Sequence, residues 1–115
     1  MTMEFGHNGN WTKATLISLL ERNDMAVCRA VVAIDNRQTH EERMSDNTIA
    51  HNGRGWGKFD AKFGSKMAEL VRQWERGESV YAAPLSEKQV YAARRMVLKY
   101  TRQLLEAIKE REVVV

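Results

Sequence analysis

The chain of 115 residues is 43% hydrophobic and 29% charged, which indicates one soluble domain over residues 1–115 with a buried core. Its single cysteine, Cys28, excludes an intramolecular disulfide and fits a reducing cytoplasm. We expect no signal peptide in residues 1–10, which are polar and predicted to be disordered. No apolar run approaches the roughly 18 residues of a membrane span, so we expect a cytoplasmic protein without a membrane partner.

The net charge of +3 is unevenly distributed along the chain. Residues 1–50 carry 5 cations and 7 anions, a net charge of −2, whereas residues 51–115 carry 13 cations and 8 anions, a net charge of +5. This asymmetry is a weak hint that the second half faces a polyanion. The alternative is a solvated surface whose charge happens to be uneven.

Apolar residues at helical spacing predict two helices in the first half of the chain. Thr12 is the expected N-cap of the first helix and Asp24 that of the second. The first helix should end near residues 22–24 and the second between residues 36 and 40, and so short a turn between them predicts an αα-hairpin. The apolar residues that define the two helices are Leu16, Ile17, Leu19, Leu20, Val27, Ala30, Val31 and Ile34.

Residues 41–57 lack this periodicity and are predicted to form a long loop. The loop runs into residues 52–64, which contain four glycines, three aromatics and three cations. Glycine permits positive φ and close approach of the backbone to a ligand. Aromatics that alternate with Arg and Lys suit stacking on bases beside contacts to phosphates. A binding site is therefore expected in this stretch.

The second half predicts two further helices. We expect a helical turn at residues 59–63, a bend at Gly64, and a helix over residues 65–76 that Gly77 stops. Ser86 and Gln89 form a capping box from which the last helix should run unbroken to about residue 110, roughly 36 Å. The apolar stripes are Phe59, Phe63, Met67, Leu70, Val71 and Trp74, then Val90, Ala93, Met96, Val97, Tyr100, Leu104 and Ile108. The predicted fold is all-α, a single compact domain of four main helices with a long glycine-rich loop.

No motif indicates reaction chemistry. Gly57-Lys58 is followed by Phe59 and is not preceded by a strand, so it is not a phosphate-binding Walker A loop, and the glycines do not fit a dinucleotide fingerprint. Cys28 lies in an apolar helix and is expected to be a core residue rather than a nucleophile. The histidines lack the paired short spacing of metal ligands, and residues 40–42 read as solvated polar residues. We therefore expect no metal, no cofactor and no enzymatic activity.

Cations gather on one face of the last predicted helix, with Tyr91 beside them and acids almost absent before Glu106. A face that only confers solubility usually mixes both signs, although a solvated face remains the plainer interpretation. Trp56 lies between two glycines and has no periodic partner, so it either covers the core or is an exposed stacking residue. Phe59 and Phe63 fit the apolar stripe and are expected in the core.

The pattern Asn52-Gly53-x-Gly55-(x)4-Asp60-Ala61-x-Phe63-Gly64, then Leu85-Ser86-x-Lys88-Gln89 and Lys99-Tyr100-x-x-Gln103-Leu104, resembles a small helical module. The module recurs in short phage and plasmid open reading frames and attached to helicase-like DNA-processing proteins. The resemblance covers about residues 50–105 and implies a mobile-element setting and an association with DNA metabolism. It brings no catalytic residue. The chain departs from the pattern at Trp56, where a phenylalanine is common, and in its longer connector at residues 72–83.

These patterns lead us to expect a non-enzymatic accessory or regulatory protein of phage or plasmid origin that binds nucleic acid, with DNA favoured over RNA. The alternative is a protein-binding inhibitor of a host defence complex, such as an anti-CRISPR protein. Such an inhibitor can use the same basic surface to compete for nucleic-acid contacts, so charge alone does not separate the two. The expected contact residues are Arg54, Trp56, Lys58, Lys62, Lys88, Arg95, Lys99 and Arg102, with Trp56 stacking and the cations on phosphates.

Overall fold

The computed structural model describes residues 11–44 and 55–113, with the backbone alone for residues 39–44. These ranges contain helices and no strand, so the all-α prediction is confirmed. The predicted disorder of residues 1–10 lies outside them. Four helical rods form the domain, and a 3-10 turn at Leu98–Tyr100 divides the last rod in two. The helices are α1 (Lys13–Arg22), α2 (Asp24–Met44), α3 (Ala61–Glu75), α4 (Glu87–Val97) and α5 (Thr101–Lys109).

Helix α2 is the centre of the domain, because it packs against α1, α3, α4 and α5. The predicted apolar stripes of α1, α2 and α4 point into one continuous core, except for Ile17 of α1, which is half-buried, and this confirms the period used to place them. Burying such side chains contributes about 1.5–3 kcal/mol each. The largest fully buried side chains are Leu16, Leu20, Val27, Cys28, Val31, Ile34, Met67, Val71, Val97 and Leu104.

The αα-hairpin of α1 and α2 forms as predicted, with one correction at the second cap. Thr12 caps α1 through a reciprocal pair of hydrogen bonds with Thr15. The cap of α2 is Asn23 rather than Asp24, since Asn23 Oδ1 accepts a hydrogen bond from Ala26 N at 3.0 Å. Asp24 is the first helical residue and instead accepts a hydrogen bond from Arg94 of α4.

Helix α2 is longer than predicted and continues to Met44. The first part of the predicted loop at residues 41–57 is therefore helical, and residues 45–54 lie outside the described residues. The prediction relied on apolar periodicity, which is absent after Ile34. Residues 37–43 are rich in Glu, Arg and Gln, whose unbranched side chains favour a helix even without an apolar stripe.

Helix α3 is continuous, so the predicted bend at Gly64 was wrong, and residues 61–63 of the predicted separate turn are the start of this helix. Phe59 lies in a turn ahead of the helix and is 94% exposed, which contradicts its assignment to the core. Phe63 is partly buried against the core, as predicted. Gly77 stops the helix as expected: its φ is 77°, and Glu78 N donates a hydrogen bond to Gln73 O at 2.9 Å.

The last rod begins at its predicted cap but is not one helix. Ser86 Oγ accepts from Gln89 N at 3.2 Å and Gln89 Oε1 accepts from Ser86 N at 2.8 Å. The rod then tightens at Leu98–Tyr100 before α5 begins at Thr101. Tyr100 makes long-range hydrogen bonds there to Gly57 and Asp60, which helical periodicity cannot reveal.

Replacing Ser86 by alanine should lower the free energy of unfolding by about 1 kcal/mol, because the first-turn amide of Gln89 loses its acceptor. Urea unfolding of the two proteins measures this difference. Ser18→Ala is the matched control, because Ser18 is exposed in the middle of α1 and its replacement should change stability by only a few tenths of a kcal/mol. Equal effects of the two changes would show that the capping box does not stabilise α4.

Candidate functional site

Residues 55–57, called the strap below, cross from α2 to the last rod. Trp56 in the strap is only 6% exposed. Its backbone N donates to Gln38 Oε1 at 2.6 Å, and its Nε1 donates to Asp35 Oδ1 at 3.0 Å. The indole meets Tyr100 edge to face, with ring centroids 5.3 Å apart. Of the two interpretations of Trp56, the structure shows the one in which it covers the core, so its side chain is not exposed for stacking on a base.

Two glycines, Gly55 beside Trp56 in the chain and Gly64 on α3, allow this close packing. Gly55 has a φ of 84°, which glycine adopts without strain. Gly64 lies under the indole, and a Cβ at this position would overlap the Trp56 ring. Gly55 N donates to Gln103 Oε1 at 2.8 Å, and Gln103 Nε2 donates to Gly55 O at 2.9 Å. The glycines serve the packing of the strap.

Asp35 is the buried polar centre beneath the strap, at 4% exposure. Besides Trp56, Ser65 Oγ donates to Asp35 Oδ1 at 2.8 Å, and an Arg72 guanidinium nitrogen lies 2.9 Å from Asp35 Oδ2. A buried carboxylate is tolerated only when it is paired and hydrogen-bonded, and this one is. The Asp35 network joins α2, α3 and the strap.

Asp60 links the start of α3 to the last rod. Tyr100 Oη donates to Asp60 Oδ2 at 2.6 Å and accepts from Gly57 N at 2.7 Å, while Lys99 Nζ lies 3.0 Å from Asp60 Oδ2. Partial burial acts to raise the pKa of Asp60, but the hydrogen bonds from Tyr100 and Lys99 outweigh it and hold that pKa below its ordinary value. The stabilisation by Asp60 is therefore present at neutral pH and is lost as the pH falls through the lowered pKa.

Tyr100 responds to pH in the opposite range. Burial, together with the hydrogen bond to Asp60, raises the pKa of Tyr100 to about 12. The contribution of Tyr100 to stability is complete below the ordinary pKa of a tyrosine and is lost as the pH rises through about 12. At neutral pH the Tyr100 hydroxyl is therefore protonated and the Asp60 carboxyl is ionised, so the hydroxyl can donate and the carboxylate can accept this hydrogen bond.

The residues that carry the resemblance to the phage and plasmid module contact one another in this region. Gly55 pairs with Gln103, Asp60 pairs with Lys99 and Tyr100, and Gly64 underlies the indole. Ser86 and Gln89 form the cap of α4. These contacts give the residues of the pattern a structural role, in packing the strap against the helices and in capping α4. The pattern does not by itself mark an exposed binding surface.

An open groove lies where the first turn of α3 meets the second half of α4. Its volume is about 370 Å³. Arg95 and Lys99, one helical turn apart, contribute its cations, and Asp60 contributes a carboxylate. The apolar lining comes from Phe63, Ala92 and Met96. The groove therefore combines apolar surface with two positive charges and one negative charge, and we call it the α3–α4 groove.

Two large aromatic side chains are exposed on the elements that form this groove. Phe59 immediately precedes Asp60 and is 94% exposed, and Tyr91 on α4 is 63% exposed. The Arg95 guanidinium lies over the Tyr91 ring, 5.8 Å from its centroid. Helical spacing correctly predicts Tyr91 beside the cations, but it does not predict that Phe59 is exposed. The only sequence feature that indicates this exposure is the position of Phe59 between the charged residues Lys58 and Asp60.

The remaining predicted contact residues are distributed unevenly. Lys58 and Lys62 are exposed in and after the turn before α3, and Lys88 is exposed in the first turn of α4. Arg102 lies apart from them, in a second open groove of about 500 Å³ between α1 and α5 that Lys13, Leu105 and Lys109 also line. Arg54 lies outside the described residues. The structure thus brings Arg95 and Lys99 into one groove and places Arg102 in another.

The structure describes the side chain of Cys28, whereas those of the three histidines lie outside the described residues. Cys28 is buried in the core, and burial raises the pKa of its thiol to about 11, which does not suit a nucleophile. Within residues 11–38 and 55–113, no three His, Cys, Asp or Glu side chains are grouped so that they could hold a metal ion. None of the described helices is both long and apolar enough to cross a membrane.

Comparison with known proteins gives no relative from which a role could be transferred. No protein-family model, no curated protein and no solved structure matches the chain.

Proposed function

We propose that the protein binds nucleic acid through a basic face made of the α3–α4 groove and the turn that precedes α3. The observation that carries this proposal is the position of Arg95 and Lys99 in one open groove. Lys58 and Lys62 are exposed on the turn and on the first turn of α3, next to the groove residues Asp60 and Phe63. Clustered cations of this kind neutralise phosphates and release the counterions condensed on them.

The ion pair of Lys99 with Asp60 does not oppose this role. The Lys99 side chain is 60% exposed and that of Asp60 is 19% exposed, and an ion pair whose ammonium group lies at the surface contributes about 1 kcal/mol. A phosphate can therefore compete for the ammonium group while Asp60 keeps its hydrogen bond from Tyr100. Arg95 has no carboxylate partner among the described residues and stays over the Tyr91 ring, with its charge available to a ligand.

The cellular setting follows from the resemblance alone. We place the protein among non-enzymatic accessory proteins of phages and plasmids, with DNA as the favoured nucleic acid and the cytoplasm as its compartment. The support is the pattern that spans about residues 50–105. The face described here offers cations and aromatic rings, which suit binding rather than bond making.

A salt titration tests the proposal. Labelled DNA should bind at low salt, and the logarithm of the association constant should fall linearly with the logarithm of the salt concentration. Arg95→Ala combined with Lys99→Ala should weaken binding. The slope of this line should become less negative by about 0.7–0.9 for each phosphate that the protein no longer neutralises. Fluorescence anisotropy at several salt concentrations measures both quantities.

The matched control removes the same charge elsewhere. Lys13→Ala combined with Lys109→Ala changes two cations that line the groove between α1 and α5. This control should leave the slope nearly unchanged. Equal losses of affinity in the two double variants would refute the α3–α4 groove as the site, and absence of binding at low salt would refute nucleic-acid binding altogether.

A second candidate function is inhibition of a host defence complex through protein contacts. The observation that favours it is the connector before α4, in which Val80 is 91% and Tyr81 76% exposed and the following Ala82 and Ala83 are also exposed. Exposed apolar runs of this kind mark protein contact sites. Co-purification with a nucleic-acid-binding defence complex that is abolished in Val80→Asp with Tyr81→Asp, but kept in Arg95→Ala with Lys99→Ala, would favour this candidate.

A further inference from the structure

The exposed rings on the basic face are not needed for phosphate contacts. Phe59 at 94% exposure and Tyr91 at 63% leave apolar ring surface in water beside Lys58 and Arg95. Phosphates are bound by cations and hydrogen-bond donors and do not need an aromatic ring, whereas base faces stack on aromatic rings, at about 1–3 kcal/mol per base. In a duplex the base faces are already covered by their neighbours, so they are accessible to such rings only in a single strand.

The α3–α4 groove has the composition that an unpaired base requires. Phe63, Ala92 and Met96 supply apolar surface, and its volume of about 370 Å³ falls within the range of small-molecule sites. The Asp60 carboxylate repels a phosphate from its side of the groove, but it can accept a hydrogen bond from a base N–H group. A phosphate is instead attracted to Arg95, whose guanidinium offers several donors in one plane.

Contact with Tyr91 prepares Arg95 for this role. Its guanidinium lies over the Tyr91 ring at 5.8 Å, within the distance of a cation–π interaction. A guanidinium held over a ring loses less side-chain freedom when it binds a ligand. The Tyr91 ring therefore holds a cation in place as well as offering surface for stacking.

Taking these observations together, and resting on the proposed function, we infer that the ligand is a single-stranded nucleic acid that places one unpaired base in the α3–α4 groove and stacks its neighbours on Phe59 and Tyr91. The phosphates between these bases lie against Arg95, and against Lys99 once its ammonium group has exchanged Asp60 for phosphate. The strand need not carry a particular sequence, because every base has a face on which a ring can stack.

Anisotropy titrations with a single DNA strand of about 12 nucleotides, an RNA strand of the same sequence, and the DNA duplex test this inference. One of the two single strands, or both, should bind more tightly than the duplex, and the comparison of DNA with RNA identifies the sugar that is preferred. Phe59→Ala and Tyr91→Ala should each weaken single-strand binding by about 5- to 150-fold without changing the salt slope, because stacking releases few counterions.

Two further variants separate stacking from general effects. Tyr81→Ala removes a ring whose exposure lies between those of Phe59 and Tyr91 from the connector before α4, and it should leave affinity unchanged. Ala92→Leu narrows the groove from α4 and should weaken single-strand binding, with the fold checked by circular dichroism and urea unfolding. Phe59, Tyr91 and Tyr81 are exposed, so their replacement should not unfold the protein.

The outcomes distinguish the inference from the proposed function. If the duplex binds as tightly as the single strands, and Phe59→Ala and Tyr91→Ala behave like Tyr81→Ala, the single-strand inference is overturned while nucleic-acid binding stands. If Ala92→Leu binds like the unaltered protein, the base is not in the groove. If none of the three ligands binds at low salt, both proposals are overturned and the exposed rings are assigned to a protein partner.

Discussion

Gly64→Ala should lower the free energy of unfolding by about 2–4 kcal/mol, although alanine is the better helix former by about 1 kcal/mol. A Cβ at position 64 would overlap three atoms of the Trp56 ring, which is held by Asp35 and Tyr100 and cannot turn away as the end of a flexible side chain could. Overpacking costs about 1–3 kcal/mol, and displacement of a buried tryptophan costs about as much as its truncation, 3–5 kcal/mol. Urea unfolding measures the change.

A double-mutant cycle identifies the cause of this loss. In a Trp56→Ala background the overlap is removed, so Gly64→Ala should be neutral or should stabilise the protein by up to about 1 kcal/mol. Trp56→Ala alone should cost about 3–5 kcal/mol. Additive effects of the two substitutions would show that Gly64 and Trp56 do not pack as described.

Asp35→Ala should be about as damaging, at about 2–4 kcal/mol, because it leaves Arg72 without its charge partner and leaves the buried Trp56 Nε1 and the Ser65 hydroxyl without their acceptor. Asp35→Asn should cost less, since its amide oxygen can still accept the hydrogen bond from Trp56 Nε1. The free energies of unfolding in urea at neutral pH compare the two variants directly.

Glu69→Ala is the matched control for Asp35. Glu69 pairs with Arg76 at 3.4 Å, but both side chains are about half exposed, so its removal should change stability by less than about 0.5 kcal/mol. A cost for Asp35→Ala as small as that of Glu69→Ala would mean that the buried network contributes little to stability.

The local parts of the fold could be predicted from the sequence, and the long-range parts could not. The caps at Thr12 and Ser86 depend on residues three positions apart, and the apolar stripes depend on helical spacing, so both are visible in the sequence. Burial of Trp56 depends on Asp35, 21 residues away, and on a glycine beneath the ring. No local pattern contains that information.

In the candidate site too, the features set by helical spacing could be predicted and those set by the three-dimensional fold could not. Helical arithmetic correctly put Arg95 and Lys99 on the exposed face of the last rod. It also grouped Arg102 with them, because it assumed an unbroken helix, and the turn at Leu98–Tyr100 invalidates that assumption. The spacing of Phe59 continues the stripe of α3 and predicts a core position, but the helix begins only at Ala61.

The strap also has a consequence for the order of folding. All three of its amides donate to side chains, from Gly55 to Gln103, from Trp56 to Gln38 and from Gly57 to Tyr100, over separations of 48, 18 and 43 residues. Closing such distances costs chain entropy before any contact compensates for it. The strap should therefore form these hydrogen bonds only after α2 and the last rod have packed together. The burial of Trp56 should then report the final step of folding rather than its beginning.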